Sequence, residues 1–322
     1  MDKILLNNQV IIYLVAEFIS FILIFIASIY AFLILKNWDF NSFTQKQFAL
    51  EQKLFLQSSI VNILFYFKIV LLIYFVYTID SLSLLIPGAM CAAGVISANS
   101  YGLNLLFIKI IIIFFLMLWI NLHRLDIKAK TYPVVKLKSA LLLFIFALFL
   151  IELYLDISYF SNININLPVS CCSALFGQLE GQNPLPFGLD TTMLIALFYL
   201  LFFSSIMFLI SDLHLFNIIS TTLFIFIAYY SVVYFFGTYV YELPTHKCPF
   251  CMMQKEYYYI GYFIWGTLFL GGFLSIIYSF LALFFKEELK SSKKIALFLL
   301  SLFVLLCTLY VAKYYLLNGV LL

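Results

Sequence analysis

The chain has 322 residues, of which 65% are hydrophobic and only 10% are charged, and its formal net charge is +3. Because a soluble domain is about half apolar and about a quarter charged, this composition excludes a soluble globular enzyme and a disordered protein. The small net charge also argues against a nucleic acid as a partner, so the expected environment is the lipid bilayer.

Long apolar runs separated by polar residues predict eight transmembrane helices, since about 20 apolar residues are needed to cross a bilayer. The first run is too long for the core of a signal peptide and lacks a small-residue cleavage site, so we expect it to be retained. The predicted fold is an all-α polytopic membrane protein. Its predicted spans are Val10–Leu35, Leu54–Thr78, Asn104–Leu122, Ser139–Tyr159, Thr191–Ser211, Ile218–Gly237, Ile260–Phe285 and Ile295–Leu316.

Lysine and arginine are concentrated in the loops on one side of these spans. The opposite loops hold only Lys3, Lys247 and Lys255. The positive-inside rule therefore predicts that the lysine-rich loops face the cytoplasm and that both termini are extracytoplasmic, with a bacterial inner membrane as the expected location. The loop cations on the lysine-rich side are Lys36, Lys46, Lys53, Arg124, Lys128, Lys130, Lys136, Lys138, Lys286, Lys290, Lys293 and Lys294.

The predicted spans divide the chain into two four-helix halves, residues 1–160 and 191–322, joined by an extracytoplasmic loop at 161–190. Each half has a cysteine-bearing outer loop between its second and third helices. A parallel 4+4 helix duplication would explain this recurrence.

Five of the six cysteines lie in the predicted outer loops, and only Cys307 lies inside a span. Cysteines used as small apolar filler would lie mostly in the helices, so this distribution indicates sulfur chemistry at one membrane face. Passive structural disulfides are the alternative interpretation. The loop cysteines are Cys91, Cys171, Cys172, Cys248 and Cys251.

The sharpest motif is the element Cys248-Pro249-Phe250-Cys251, which precedes a predicted membrane helix. Two cysteines three residues apart can form a redox-active disulfide, and the N–H groups and dipole of a helix N-terminus favour the thiolate. Pro249 suits a first helical turn. Lys255 would place a positive charge near the Cys251 sulfur or near a quinone, and His246 would relay a proton.

The sequence Cys248-x-x-Cys251-x-x-Gln254-Lys255 resembles the Cys-x-x-Cys-x-x-Gln/Glu-Arg signature of the disulfide bond formation protein B family. The membrane enzymes of that family oxidise periplasmic thioredoxin-like proteins and pass the electrons to quinone, and vitamin K epoxide reductase relatives share the same logic. The resemblance implies that Cys248 and Cys251 are the quinone-proximal pair and that Gln254 and Lys255 lie beside the quinone. It covers about eight of the 322 residues.

A disulfide relay needs a second thiol that exchanges with the partner protein, and Cys171-Cys172 is the candidate. Adjacent cysteines rarely bond to each other, because the small ring strains the peptide between them. We therefore expect each to pair elsewhere, with Cys91 as one partner, or to receive the thiol of a thioredoxin-like protein in a mixed disulfide.

A soft-metal site is the alternative use of the same side chains. Thiolates bind Cu(I) and Hg(II) strongly, and the vicinal cysteine pair alone resembles mercury-transport membrane proteins. Adjacent ligands fit one tetrahedral zinc ion poorly. The alternative metal ligands are Cys248, Cys251, Cys171, Cys172 and His246.

Five ionisable residues fall inside predicted spans: Glu17, Lys68, Lys109, Glu152 and Asp156. Charges in hydrocarbon are costly, which makes each a candidate functional residue. Glu152 and Asp156 share a helix face because they are four residues apart. We expect a polar pocket open to the outside, in which the acids pair with the lysines and carry protons released by thiol oxidation. For Lys109 and Asp156, snorkelling to the interface is the favoured interpretation.

The sequence thus supports three hypotheses. The first is a membrane thiol–disulfide oxidoreductase that exchanges electrons between extracytoplasmic protein thiols and membrane quinone. The second is a copper- or mercury-binding or transport protein. The third is a non-catalytic membrane subunit whose loops are held by disulfides.

Overall fold

The computed structural model of the chain describes residues 4–40, 44–129, 132–169, 185, 188–286 and 289–322. The described residues are mainly helical and contain no strand, and eight of their helices are long and apolar enough to cross a membrane. The prediction of an all-α polytopic membrane protein is confirmed. The helices are α1 Asn8–Asn37, α2 Gln45–Leu82, a short α3 Ala92–Ile96, α4 Tyr101–Lys128, α5 Val135–Ser161, α6 Thr191–Ile210, α7 His214–Tyr241, α8 Ile260–Phe285 and α9 Lys290–Asn318.

Large apolar side chains cover the outer faces of these helices. Phe18, Phe55 and Phe203 are 54%, 76% and 64% exposed, respectively. An apolar surface of this extent is unfavourable in water and is the surface that a lipid bilayer covers. The chain is therefore a multi-pass membrane protein.

The helices extend beyond the apolar runs from which they were predicted. The helix α2 begins nine residues before the predicted start at Leu54, because all of these nine residues except Phe48 are glutamine, lysine, glutamate, alanine or leucine, which favour helix. Lys138, counted above among the solvent-facing loop cations, lies instead in α5 and is fully buried. That assignment was wrong, because Asp126 gives the lysine a buried partner, with Nζ 2.5 Å from Oδ2.

The chain forms two compact units. The first consists of Met1–Leu82 and Ile96–Ile165 and contains α1, α2, α4 and α5. The second consists of Ser83–Val95 and Asn166–Leu322 and contains α6 to α9. The segment Ser83–Val95 therefore belongs to the second unit although it precedes α4 in the chain.

The core of the second unit is rich in aromatic residues. Phe198 lies at the centre, with its ring centroid 5.4 Å from that of Phe224 and 6.0 Å from that of Phe303. Four cysteines, Cys91, Cys248, Cys251 and Cys307, are part of the same buried cluster. The apolar packing of α6, α7 and α9 thus continues directly into the sulfur-containing region.

Candidate functional site

Three cysteine sulfurs converge in the second unit. The Sγ atoms of Cys91, Cys248 and Cys251 all lie within 4.8 Å of one another, and those of Cys91 and Cys248 are 3.6 Å apart. Each of the three residues is 5% exposed or less. The structure therefore brings the Cys-x-x-Cys pair together with the lone loop cysteine, which is 157 residues away from Cys248 in the chain.

The Cys-Pro-Phe-Cys element does not occupy the first turn of a membrane helix. Cys251–Met253 and Lys255–Tyr257 are short 3₁₀ turns, and α8 begins only at Ile260. Tyr258 and Tyr259 have φ values of 54° and 57°, in the left-handed region, and these interrupt the helical path. The expected stabilisation of a thiolate by the N-terminus of this α-helix is therefore wrong.

Hydrogen bonds from two aromatic side chains hold the element in place. The hydroxyl of Tyr241, the last residue of α7, donates to the carbonyl oxygen of Cys248 and accepts from the N–H of Met252 at 3.0 Å. The indole Nε1–H of Trp265 on α8 donates to the carbonyl oxygen of Pro249 at 3.1 Å. Two neighbouring helices thus fix the backbone of the element from Cys248 to the residue after Cys251.

Sequence reasoning missed both Tyr241 and Trp265. Abundant aromatic residues in a membrane protein are mostly lipid-facing, so neither residue stood out. The sequence does contain a signal for this role, which is the polar group that each ring carries. A buried tyrosine hydroxyl or indole N–H needs a hydrogen-bond partner, and a backbone segment such as this element can supply one.

Cys91 is positioned by the segment Ser83–Val95. It directly precedes the short helix α3, and its carbonyl oxygen accepts hydrogen bonds from the N–H groups of Gly94 at 3.1 Å and Val95 at 3.4 Å. The neighbouring Met90 carbonyl accepts from the amide Nε2 of Gln254 at 3.4 Å. Gln254, predicted to bind a quinone, therefore links the Cys91 segment to the turn that follows Cys251.

The structure does not place the remaining predicted residues of this site among the three sulfurs. Cys171 and Cys172 lie outside the described residues. Lys255 is exposed. The ring of His246 packs against that of Tyr241, with centroids 4.4 Å apart, and its buried Nε2 has no hydrogen-bond partner among the described residues.

The electrostatic surroundings of the element are partly desolvated. Lys247 lies with its Nζ 5.5 Å from the centroid of the Tyr234 ring, and burial lowers the pKa of Lys247. Burial, followed by the negative charges of Cys251 and Glu256, raises the pKa of Tyr257. Lys247, immediately before Cys248 in the chain, therefore loses its proton more readily than an exposed lysine does.

Comparisons with models of known protein families, with characterised protein sequences and with solved structures give no match to this chain. The chemistry must then be inferred from the side chains themselves. Sulfurs in van der Waals contact are placed for thiol–disulfide exchange, in which a thiolate attacks one sulfur of a disulfide. Three thiolates this close together are also suitable ligands for a soft metal ion.

A second cluster of functional side chains lies in the first unit. Lys68 on α2 donates to Glu17 on α1 at 2.6 Å and to both carboxylate oxygens of Glu152 on α5 at 2.7 Å. Lys109 on α4 donates to Glu17 at 3.0 Å, to Glu152 at 2.8 Å and to Asp156 at 3.1 Å. The predicted polar residues therefore meet, and each is at most 4% exposed.

The expectation that Lys109 and Asp156 snorkel to the interface is wrong. Their side chains are 2% and 1% exposed and pair with each other. Both side chains stay inside the bundle because Lys68, Glu17 and Glu152 lie around them, so their polar atoms find partners there. Tyr13, one turn before Glu17 on α1, joins the cluster and was missed, although the four-residue spacing places both on one helix face.

Proposed function

We propose that this chain is a membrane thiol–disulfide oxidoreductase that exchanges electrons between extracytoplasmic protein thiols and membrane quinone, in a bacterial inner membrane. The observation that carries the proposal is the convergence of Cys91, Cys248 and Cys251, with Sγ of Cys91 3.6 Å from Sγ of Cys248. A two-cysteine motif alone can form one disulfide. A third sulfur in contact with it can attack that disulfide, so that the disulfide bond moves to another pair of cysteines.

The exchange step uses these three sulfurs in a fixed order. The Cys91 thiolate attacks the Cys248 sulfur of a Cys248–Cys251 disulfide, so a Cys91–Cys248 bond forms and the Cys248–Cys251 bond breaks. Cys251 leaves as a thiolate, and no electrons enter or leave the protein in this step. The short sulfur–sulfur distance supports exchange without a backbone rearrangement.

Electrons enter and leave the protein in two further steps. A thiolate of Cys171 or Cys172, the proposed entry, attacks Cys91, so the Cys91–Cys248 bond breaks and leaves Cys248 and Cys251 as a dithiol. The dithiol of a thioredoxin-like partner then reduces the new disulfide between Cys91 and the entry cysteine and is itself oxidised to a disulfide. The Cys248–Cys251 dithiol is then oxidised to a disulfide, and a quinone takes up its two electrons and two protons to become a quinol. By the motif resemblance, Gln254 and Lys255 bind the quinone. His246, two residues before Cys248, is the proposed proton relay.

The test measures electron transfer to quinone by the full chain in lipid nanodiscs. The protein is reduced, freed of reductant and metal under anaerobic conditions, and mixed with a soluble short-chain quinone. We expect quinol to form while two of the three clustered cysteines become inaccessible to alkylation, as mapped by mass spectrometry. Cys248→Ser should abolish quinol formation.

Cys307→Ser is the matched control. Cys307 is equally buried but lies in α9, outside the group of three sulfurs. This variant should reduce quinone at the wild-type rate. If no quinol forms and all three clustered thiols remain alkylatable after quinone is added, the oxidoreductase proposal is wrong.

A soft-metal site is the second candidate, and the mutual distances of at most 4.8 Å among the three sulfurs favour it. This group of possible ligands differs from the predicted one, because it contains Cys91 together with Cys248 and Cys251. Anaerobic titration with Cu(I) against a competing chelator should then give one bound ion per chain, lost in Cys91→Ser and retained in Cys307→Ser. Stoichiometric copper without quinone reduction would favour this function.

A purely structural role for the cysteines is the remaining alternative. It predicts disulfides that resist mild reductant, do not respond to quinone and bind no copper. The same nanodisc samples distinguish all three outcomes.

A further inference from the structure

The buried cluster of the first unit contains one more acid than base. Glu17, Glu152 and Asp156 face Lys68 and Lys109, and all five side chains are almost completely buried. They come from all four long helices of the unit, α1, α2, α4 and α5. Tyr13 on α1 completes the set, with its hydroxyl oxygen 3.0 Å from Glu17 Oε1 and 2.8 Å from Asp156 Oδ1.

We propose that this cluster is a proton-binding site, in which Asp156 holds one exchangeable proton and shares it with Glu17 through the Tyr13 hydroxyl. The proposal does not depend on the chemistry of the cysteines. Two independent observations support it, the balance of charges and the number of hydrogens available for the observed contacts.

The charge balance requires one additional positive charge. Three carboxylates and two ammonium groups sum to one negative charge, in a helical bundle from which water is largely excluded. An uncompensated buried charge is strongly destabilising, and inside a membrane it is more costly still. One bound proton makes the cluster neutral.

The number of hydrogens available at the Tyr13 hydroxyl also indicates one bound proton. The Tyr13 hydroxyl has a single hydrogen, yet its oxygen is within hydrogen-bond distance of two carboxyl oxygens, one on Glu17 and one on Asp156. If both acids were ionised, one of these contacts would bring two lone pairs together without a hydrogen between them. A proton on one of the two acids makes both contacts favourable.

The number of ammonium contacts identifies Asp156 as the protonated acid. Glu152 accepts from Lys68 at both of its oxygens and from Lys109 at one. Glu17 accepts from both lysines, at 2.6 Å from Lys68 and 3.0 Å from Lys109. Among the described residues Lys109 is the one ammonium group in contact with Asp156, and at 3.1 Å this is the longest ammonium contact of the cluster. Its anion is therefore the least stabilised.

The proton can move between the two helices without any change in the heavy-atom positions. With Asp156 protonated, its hydroxyl donates to the Tyr13 oxygen, and Tyr13 donates to Glu17. When both protons shift along these bonds, Asp156 becomes the carboxylate and Glu17 the acid, while Tyr13 stays neutral. A narrow crevice lined by Glu17, Glu152, Asp156 and three apolar residues has room for about one water molecule beside the carboxyls.

Infrared difference spectroscopy on the full chain in nanodiscs tests the site. A protonated carboxyl has a C=O stretching band that a carboxylate lacks. We expect this band in the wild-type protein at neutral pH, and we expect Asp156→Asn to remove it. Asp190→Asn, which changes an exposed aspartate outside the cluster, should leave the band intact.

Tyr13→Phe gives an independent readout that does not require Asp156 to be replaced. This variant removes the oxygen that accepts the Asp156 proton, so the band should persist but shift in frequency. The absence of a protonated-carboxyl band in the wild type would overturn the proposal. A band that is unchanged in both Asp156→Asn and Tyr13→Phe would also overturn it, because the proton would then reside elsewhere.

Discussion

The hydroxyl of Tyr241 donates a hydrogen bond to the carbonyl oxygen of Cys248, and both residues are buried. The same hydroxyl accepts from the N–H of Met252, so one side chain at the end of α7 spans the whole Cys-Pro-Phe-Cys element. The distances between the three sulfurs therefore depend on a residue that carries no sulfur and takes no part in the exchange.

Tyr241→Phe should loosen this element while leaving the aromatic packing in place. The substitution removes the hydrogen bonds that the hydroxyl makes to the carbonyl of Cys248 and to the N–H of Met252, which should cost about 1–3 kcal/mol of stability. We expect a lower thermal midpoint and faster alkylation of reduced Cys248. Tyr257→Phe is the control, since the ring of Tyr257 packs 4.8 Å from that of Tyr241. Equal alkylation rates in wild type and Tyr241→Phe would contradict this role.

Gly261 near the start of α8 should tolerate no side chain. A Cβ atom there would lie 2.6 Å from Met252 Cγ and 3.0 Å from the Met252 backbone carbon, in the turn that contains Cys251. Gly261→Ala should therefore displace this turn, with a loss of about 1–3 kcal/mol typical of overpacking, and slow quinone reduction.

Gly266 provides the matched control for that substitution within the same helix. A Cβ atom at Gly266 meets nothing within 4 Å, so Gly266→Ala should be neutral or more stable by up to about 1 kcal/mol through helix propensity. Thermal unfolding and quinol formation measured on both variants check the pair. Similar behaviour of the two would show that the close contact at Gly261 has no consequence.

Hydropathy was sufficient to predict the eight spans, because crossing a bilayer imposes a length and an apolar composition that are visible in any window of the sequence. The partner of Cys248 was not predictable in the same way. Cys91 reaches it because Ser83–Val95 belongs to the second unit, and no periodicity links positions 157 residues apart. The local shape of the motif was also misjudged, since the left-handed Tyr258 and Tyr259 are not residues that usually mark a break.

For the charged residues, too, one part of the outcome was predictable from the sequence and another part depends on three-dimensional position. The cost of charges in hydrocarbon was enough to predict that the acids and lysines within the spans pair with one another, but the burial of Lys109 and Asp156 was not predicted. Lys109 and Asp156 lie in the outer halves of their predicted spans, where snorkelling was the favoured interpretation. In the structure, the positions of Glu17 and Glu152 keep them inside the bundle. Lys138 was assigned to a loop for the same reason, because its partner Asp126 lies on a different helix.

The Lys138–Asp126 pair should contribute strongly to the stability of the first unit. Both side chains are fully buried, and Asp126 also accepts from the N–H of Val134 at 3.1 Å. Lys138→Met leaves a buried carboxylate without its cation and should cost about 3–5 kcal/mol. The loss should be much smaller in the double variant Lys138→Met/Asp126→Asn, as measured by unfolding in mixed micelles.

Lys136→Met is the control for that experiment, since Lys136 is exposed two residues earlier on the same helix. It should change stability by less than about 1 kcal/mol, as expected for a surface charge. Additive losses in the Lys138–Asp126 double variant would show that the two groups are not energetically coupled.

Asp212, in the turn between α6 and α7, should make stability depend on acid pH. Partial burial raises its pKa, but hydrogen bonds from Lys293 at 2.6 Å and Tyr278 at 2.8 Å outweigh that effect and leave the pKa below its ordinary value. A lowered folded-state pKa stabilises the protein above the ordinary aspartate pKa of about 3.9, and this stabilisation is lost as the pH falls through the folded-state value.

Asp212→Asn isolates this contribution, because asparagine accepts the left-handed φ of 55° at this position as readily as aspartate does. The wild type should be the more stable of the two at neutral pH, and the difference should shrink as the pH is lowered below about 4. Thermal midpoints of both proteins measured across this range test the expectation. Lys293→Met should remove most of the same pH dependence, and a difference between wild type and Asp212→Asn that stays constant down to acid pH would refute it.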